Sequence, residues 1–317
     1  MYVFYEDKKS DKKLFYDYYK LHDFNENLDY NLRKKEDNKT AKYLLEYEKD
    51  YPIINDKISF EHFINRMSFW METGSGKTLV IVKLIEMLGY LIKNKKIPEK
   101  DILFLAHRDD LIEQFRKHVD EFNRNNFDNK IILKNLKEYD SVKSEQNIFR
   151  ENEITVFYYR SDNITDERKD KQINHRDYDN FGNWYILLDE AHKGDKDDSK
   201  RQIYYTILSR NGFLFNFSAT FTDQKDFATC VYNFNLSKFI EEGYGKHIYI
   251  SEQNAGAFRD EDDFSEQEKQ KVVLKTLLMM TYVNLYYDKV KIKNKNLYHR
   301  PLMLTLVNSV NTEESDL

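Results

Sequence analysis

METGSGKT, residues 71–78, follows the apolar run Ser68–Met71 and opens an apolar stretch, LVIVKLIEMLGYLI, that continues toward Lys93. Strand, glycine-rich turn and helix in that order place backbone amides at a helix start, where the macrodipole favours an anion. Gly74, Ser75 and Gly76 offer their amides, the glycines bare enough to wrap a phosphate chain. Lys77 reaches the outer phosphates, and Thr78 brings a hydroxyl for a metal ion. The strict pattern begins with Gly where this chain has Met71. A glycine turn with no ligand is the bland alternative. It leaves a cation, Lys77, at the helix end that disfavours one.

A second stretch completes the chemistry. Trp184–Leu188 is a strand-like apolar run that leads into Asp189, Glu190, Ala191 and His192. Two carboxylates at the end of a buried strand let one hold a metal ion while the other works on water. A helix start rich in acids is the alternative for this string alone. The two strings together predict a site for a nucleoside triphosphate and magnesium.

Outward from these strings the pattern repeats. Pro98 breaks the chain before the apolar run Asp101–Ala106, and Asp109 or Asp110 starts a helix with Leu111, Ile112, Phe115, Val119 and Phe122 on one face. Further strands are expected at Lys130–Lys134, Ile154–Tyr158, Phe213–Phe217 and His247–Ile250. Continuously apolar strands alternating with helices predict an α/β fold, with a mostly parallel sheet covered by helices on both faces. Ligands of such sheets sit at the carboxyl ends of the strands, where Gly74, His107, Asp189 and Ser218 all fall.

The composition is that of a folded chain with a heavily charged surface, 40% hydrophobic and 33% charged over 317 residues. That length suits one large domain plus part of another. A net charge of −5 makes the whole chain no obvious polyanion binder, though a local basic groove matters more than the total. No apolar run approaches a membrane span, and the N-terminus lacks a signal peptide's apolar core. The single cysteine, Cys230, excludes an internal disulfide framework and suits a reducing cytoplasm; a packed core thiol is expected there.

Residues 1–59 read as a helical accessory region, with Leu14, Phe15, Tyr18, Tyr19, Tyr43, Leu44 and Tyr47 near helical spacing. Packing of these aromatics against the main body is one reading, and a nucleic-acid arm of stacking rings and lysines is the other. Residues 60–250 form the main domain, and 251–300 a helical linker with a helix from about Lys269 to Tyr287. Pro301 introduces a fresh apolar strand at Leu302–Val307, so 301–317 are expected to open a second domain that this stretch of chain does not complete.

In sequence order METGSGKT, LAHRDDLIEQF (105–115), LLDEAH (187–192) and FSAT (217–220) resemble the superfamily-two helicases of the DEAH class. The flanks NRMSFWMETGSGKTLVIVKLIE (65–86), VFYYRSDNI (156–164), DEAHKGD (189–195) and GFLFNFSATFTD (212–223) resemble the Res motor subunit of type III restriction enzymes. PLMLTLVNSV (301–310) is similar to the strand that opens that family's second RecA-like domain. The resemblance covers roughly residues 60–310 and implies a RecA-like P-loop fold and an ATP-driven DNA translocase or helicase.

It also implies roles. Asp189 would hold magnesium with Thr78, and Glu190 would orient or deprotonate the attacking water. His192, Ser218 and Thr220 would couple the nucleotide site to DNA, with a turn or cap role as the alternative for the last two. His107, Arg108 and Arg160 are candidate DNA contacts, or ordinary surface residues. Asn65 and Arg66 would touch the nucleobase, or serve as a local cap or ion pair. ATP, magnesium, DNA and a methyltransferase subunit of the Mod type are the implied ligands and partners. No second-domain arginine and no nuclease motif is seen in this sequence. The alternatives are a helicase-like ATPase of repair or phage defence without a nuclease, and a nucleotide-dependent binding module with negligible turnover. A small-molecule kinase is disfavoured by the DEAH and SAT strings.

Overall fold

The computed structural model describes residues 1–21, 28–34, 41–126, 129–144, 152–169, 171–191, 199–245 and 267–293. Met1–Lys246 and His247–Leu317 form two compact units. The first is built on a seven-stranded sheet, all of whose pairings are parallel. Its strands are β1 (Arg66–Met71), β2 (Asp101–Ala106), β3 (Lys130–Asn135), β4 (Glu153–Arg160), β5 (Trp184–Asp189), β6 (Phe213–Ser218) and β7 (Cys230–Phe234). They lie in the order β7-β1-β6-β5-β2-β4-β3.

Every residue of β2, β5 and β6 is buried, which requires cover on both faces of the sheet and explains their unbroken apolar sequences. The helices α1 (Lys77–Lys93) and α2 (Asp109–Asn125) supply part of that cover and pack on each other. On α2 the buried residues are Ile112, Phe115 and Val119, the face expected from the spacing. The ring of Phe115 stacks on Phe104 of β2 at 3.8 Å. A third helix, α3 (Ser199–Leu208), precedes β6.

The N-terminal region departs from an all-helical reading. It holds a helix, Lys12–Lys20, but also a small antiparallel sheet of Tyr30–Asn31, Lys57–Ile58 and Ile53–Ile54. Two-residue strands have no periodicity to read. The aromatics of this region pack into the body: Phe4 meets Phe213, and Tyr5 meets Tyr185, at the amino-terminal ends of β6 and β5. That favours the packing reading over a nucleic-acid arm. Cys230 is half-buried on an edge strand, a correction to the packed core thiol expected of it.

In the second unit one helix is described, Gln267–Lys293, longer at both ends than the sequence pattern suggests. The expected strands His247–Ile250 and Leu302–Val307 lie outside the described residues. Among the described residues, no helix is long and apolar enough to cross a membrane.

A polar cluster sits inside the sheet where β1, β6 and the short helix Gln224–Ala228 meet. The Asp226 carboxylate accepts hydrogen bonds from Ser68 Oγ at 2.9 Å and Asn216 Nδ2 at 2.6 Å, and all three residues are buried. Burial pushes the Asp226 carboxyl above the usual carboxylate range, against the pull of Arg66. The folded chain therefore keeps this proton to higher pH than the unfolded chain does. Stability from Asp226 is complete below the unfolded carboxylate value near 3.9 and falls as pH rises toward the folded value, by at most about 1.4 kcal/mol per pH unit. Asp226→Asn is expected to flatten that slope. Urea unfolding over a pH series checks it, and parallel slopes for parent and variant would contradict the assignment.

Candidate nucleotide site

Three neighbouring strands deliver the motif residues to one place. In the order β1-β6-β5, the carboxyl ends are Met71, Ser218 and Asp189. The turn after β1 therefore comes within reach of the carboxylates after β5.

In that turn Gly74 and Gly76 take φ of +85° and +87°, a region strained for any side chain, and a Cβ on either would meet nothing within 4 Å. The loop is an open cradle. Gly76 forms the N-cap of α1 and no side chain caps the helix. Ser75 Oγ is buried without a hydrogen-bond partner. An orphaned hydroxyl beside an uncapped helix start fits an anion with several acceptor oxygens.

Lys77 is the first helical residue and is only 8% exposed. Its ammonium lies 2.6 Å from Glu190 Oε1 and 3.5 Å from Asp189 Oδ1. Asp189 is buried, and burial raises its carboxyl above the usual range while the Lys77 ammonium pulls it back down. Glu190 adopts φ +57°, in the left-handed region that costs a non-glycine residue about 1 kcal/mol or more. This turn brings the Glu190 amide onto Asp189 Oδ1 at 3.0 Å and lets the Ala191 amide bond to Phe217 O at 3.0 Å. The acidic turn is thus fastened to the end of β6.

Thr78 follows Lys77 at the half-exposed start of α1. Among the described residues, no three His, Cys, Asp or Glu side chains are grouped to hold a metal by themselves. An ion at Thr78 and Asp189 would take its remaining ligands from phosphate oxygens and water, the usual arrangement for magnesium.

After β6, Ser218 Oγ accepts the Thr220 amide at 3.0 Å, so Ser218 shapes its own turn. Thr220 is exposed. His192 lies outside the described residues. Asn65 and Arg66 are buried at the opposite end of β1. Asn65 Nδ2 donates to Ser209 O and Gly212 O, and Arg66 to Phe63 O and Thr206 Oγ1. They are structural caps, which corrects the nucleobase reading.

The candidate DNA residues do not join the cluster. Arg108 pairs with Asp110 at 3.2 Å, and His107 follows β2. Arg160 ends β4, four strand spacings or roughly 19 Å from β1. It is held by Asp162 and by Asp109 at 2.7 Å. With Arg116, Lys137 and Lys171 it lines a cleft of about 480 Å³. A larger cavity, about 730 Å³, lies beside the starts of β2 and β4, away from the motifs. Its lysines 93, 95 and 96 are balanced by glutamates 6, 99 and 153. Sequence reading missed Trp70 on β1, whose indole N–H donates to Ala219 O; its only signal was an aromatic four residues before Gly74.

No curated protein matches the chain. Among solved structures it is similar to the UvsW helicase of bacteriophage T4, at 17% identity and a TM-score of 0.32, covering 60% of this chain and 63% of that one. The chain thus spans less than two thirds of that protein's length. The family model described as "Type III restriction enzyme, res subunit" matches residues 24–223, well over half of the sequence. By that match the chain belongs to the family of type III restriction enzyme res subunits.

Proposed function

We propose that this chain is the ATP-binding motor domain of a DNA translocase or helicase, acting in a restriction system with a methyltransferase partner of the Mod type. The observation that carries the reading is Lys77, buried at an uncapped helix start with its ammonium against Glu190 and Asp189. Backbone amides of Gly74, Ser75 and Gly76 receive the phosphate chain. Lys77 then exchanges Glu190 for the β- and γ-phosphates. Thr78 and Asp189 would hold magnesium, which would neutralise charge on the phosphates. Once Lys77 has moved to the phosphates, Glu190 accepts a proton from water. Ser218, Thr220 and His192 pass the state of this site to DNA.

DNA association should depend weakly on sequence and strongly on salt, because phosphate contacts dominate it and each adds about −0.9 to the slope of log affinity against log salt. Fluorescence anisotropy with unrelated duplexes at two ionic strengths, alongside phosphate release from ATP, tests the reading. Salt-insensitive binding to one sequence, or no ATP turnover with or without DNA, would argue against a motor.

A further inference from the structure

Trp70 takes no part in the chemistry above, yet it joins two parts of the site. It sits one residue before the end of β1, the strand that leads into the phosphate loop, and pairs in register with Ser218 of β6. Its indole Nε1 donates to the carbonyl of Ala219 at 2.8 Å. Ala219 lies between Ser218, whose hydroxyl accepts the Thr220 amide, and Thr220 itself. The Ser218–Thr220 turn is therefore held from two sides, by its own serine and by the tryptophan of the phosphate-loop strand. On its outer side the indole packs against Phe227 at 5.2 Å and Phe221 at 6.3 Å, which fixes the ring and aims the N–H. Phenylalanine would fill most of this space, but only an indole supplies the donor at that reach.

We infer that Trp70 is a positioning residue, locking the Ser218–Thr220 turn to the phosphate-loop strand so that events at the nucleotide reach the turn. The inference rests on the nucleotide reading above. Any shift of the loop strand against β6 must carry the turn along or break the Nε1–H···O=C bond. The ligand-facing groups do not include Trp70, so its loss should leave ATP affinity intact and impair turnover.

The chain has two tryptophans, and Trp184 is fully buried in β5, so Trp70 is the natural fluorescent reporter. Magnesium-ATP is titrated into parent and Trp70→Phe, followed by calorimetry and by tryptophan emission, with steady-state phosphate release measured on both. Three results are expected. Emission of the parent changes as ATP saturates, and that change is absent in Trp70→Phe. The variant binds ATP within about twofold of the parent. Its kcat falls at least about tenfold at unchanged KM, a split that a merely structural loss would not give. If Trp70→Phe does not fold, benzothienylalanine at position 70, which keeps the ring shape and removes the N–H, is expected to show the same kcat loss. Parental kcat in the variant that folds, or parental emission unmoved by saturating ATP, overturns the inference. Failure of the parent itself to bind ATP would instead sink the nucleotide reading, and this inference with it.

Discussion

Glu190→Gln is expected to slow phosphate release from ATP by about 10²–10⁴-fold, the usual worth of a positioned general base. The substitution keeps the size of the side chain and its hydrogen-bonding reach but removes the proton acceptor. It also removes the charge that holds Lys77 at 2.6 Å in the free site. Without that partner, Lys77 keeps only the longer contact to Asp189 at 3.5 Å and gives up less when it meets incoming phosphates. ATP affinity should therefore hold or improve while turnover collapses. Single-turnover hydrolysis separates the two effects from product release. Parental turnover in the variant would mean that Glu190 does not act on water.

Lys77→Ala should act in the opposite sense on binding. Removing one partner of a desolvated charged pair costs about 2–5 kcal/mol, which is roughly thirty- to several-thousand-fold in Kd. Neutral backbone amides of the loop cannot supply the missing charge. In the free protein the same change withdraws the ammonium from between Asp189 and Glu190. The two carboxylates then repel, so a modest loss of thermal stability accompanies the loss of affinity. Circular dichroism and thermal unfolding establish that the fold survives. A variant with parental ATP affinity would remove the phosphate loop from the account.

The residues most legible in the sequence were those with strong periodicity and clear punctuation. The helix Lys77–Lys93 and the strand Asp101–Ala106 lie where glycine, proline and apolar runs place them. The strand Cys230–Phe234 escaped because it is a sheet edge, paired on one side, with a shifted register between Cys230 and Tyr232 and with Val231 and Tyr232 exposed. Its sequence carries neither a buried run nor a clean alternation. At the site, residue types gave the chemistry, but contacts between distant segments were invisible. Nothing local announces that Lys77 rests on Glu190, that Glu190 takes a left-handed turn, or that Trp70 reaches Ala219. Arg160 shows the converse. Its position at a strand end made it a candidate DNA contact, whereas Asp162, two residues on, and Asp109 already hold it.

The most direct measurement is calorimetric titration of magnesium-ATP into the parent chain, Lys77→Ala and Glu190→Gln under one set of conditions. The expected result is saturable one-to-one binding by the parent, equal or tighter binding by Glu190→Gln, and binding by Lys77→Ala weakened at least about thirtyfold. No binding by the parent, or one affinity shared by all three proteins, would contradict the claim that Lys77 passes from the acidic turn to a nucleotide's phosphates.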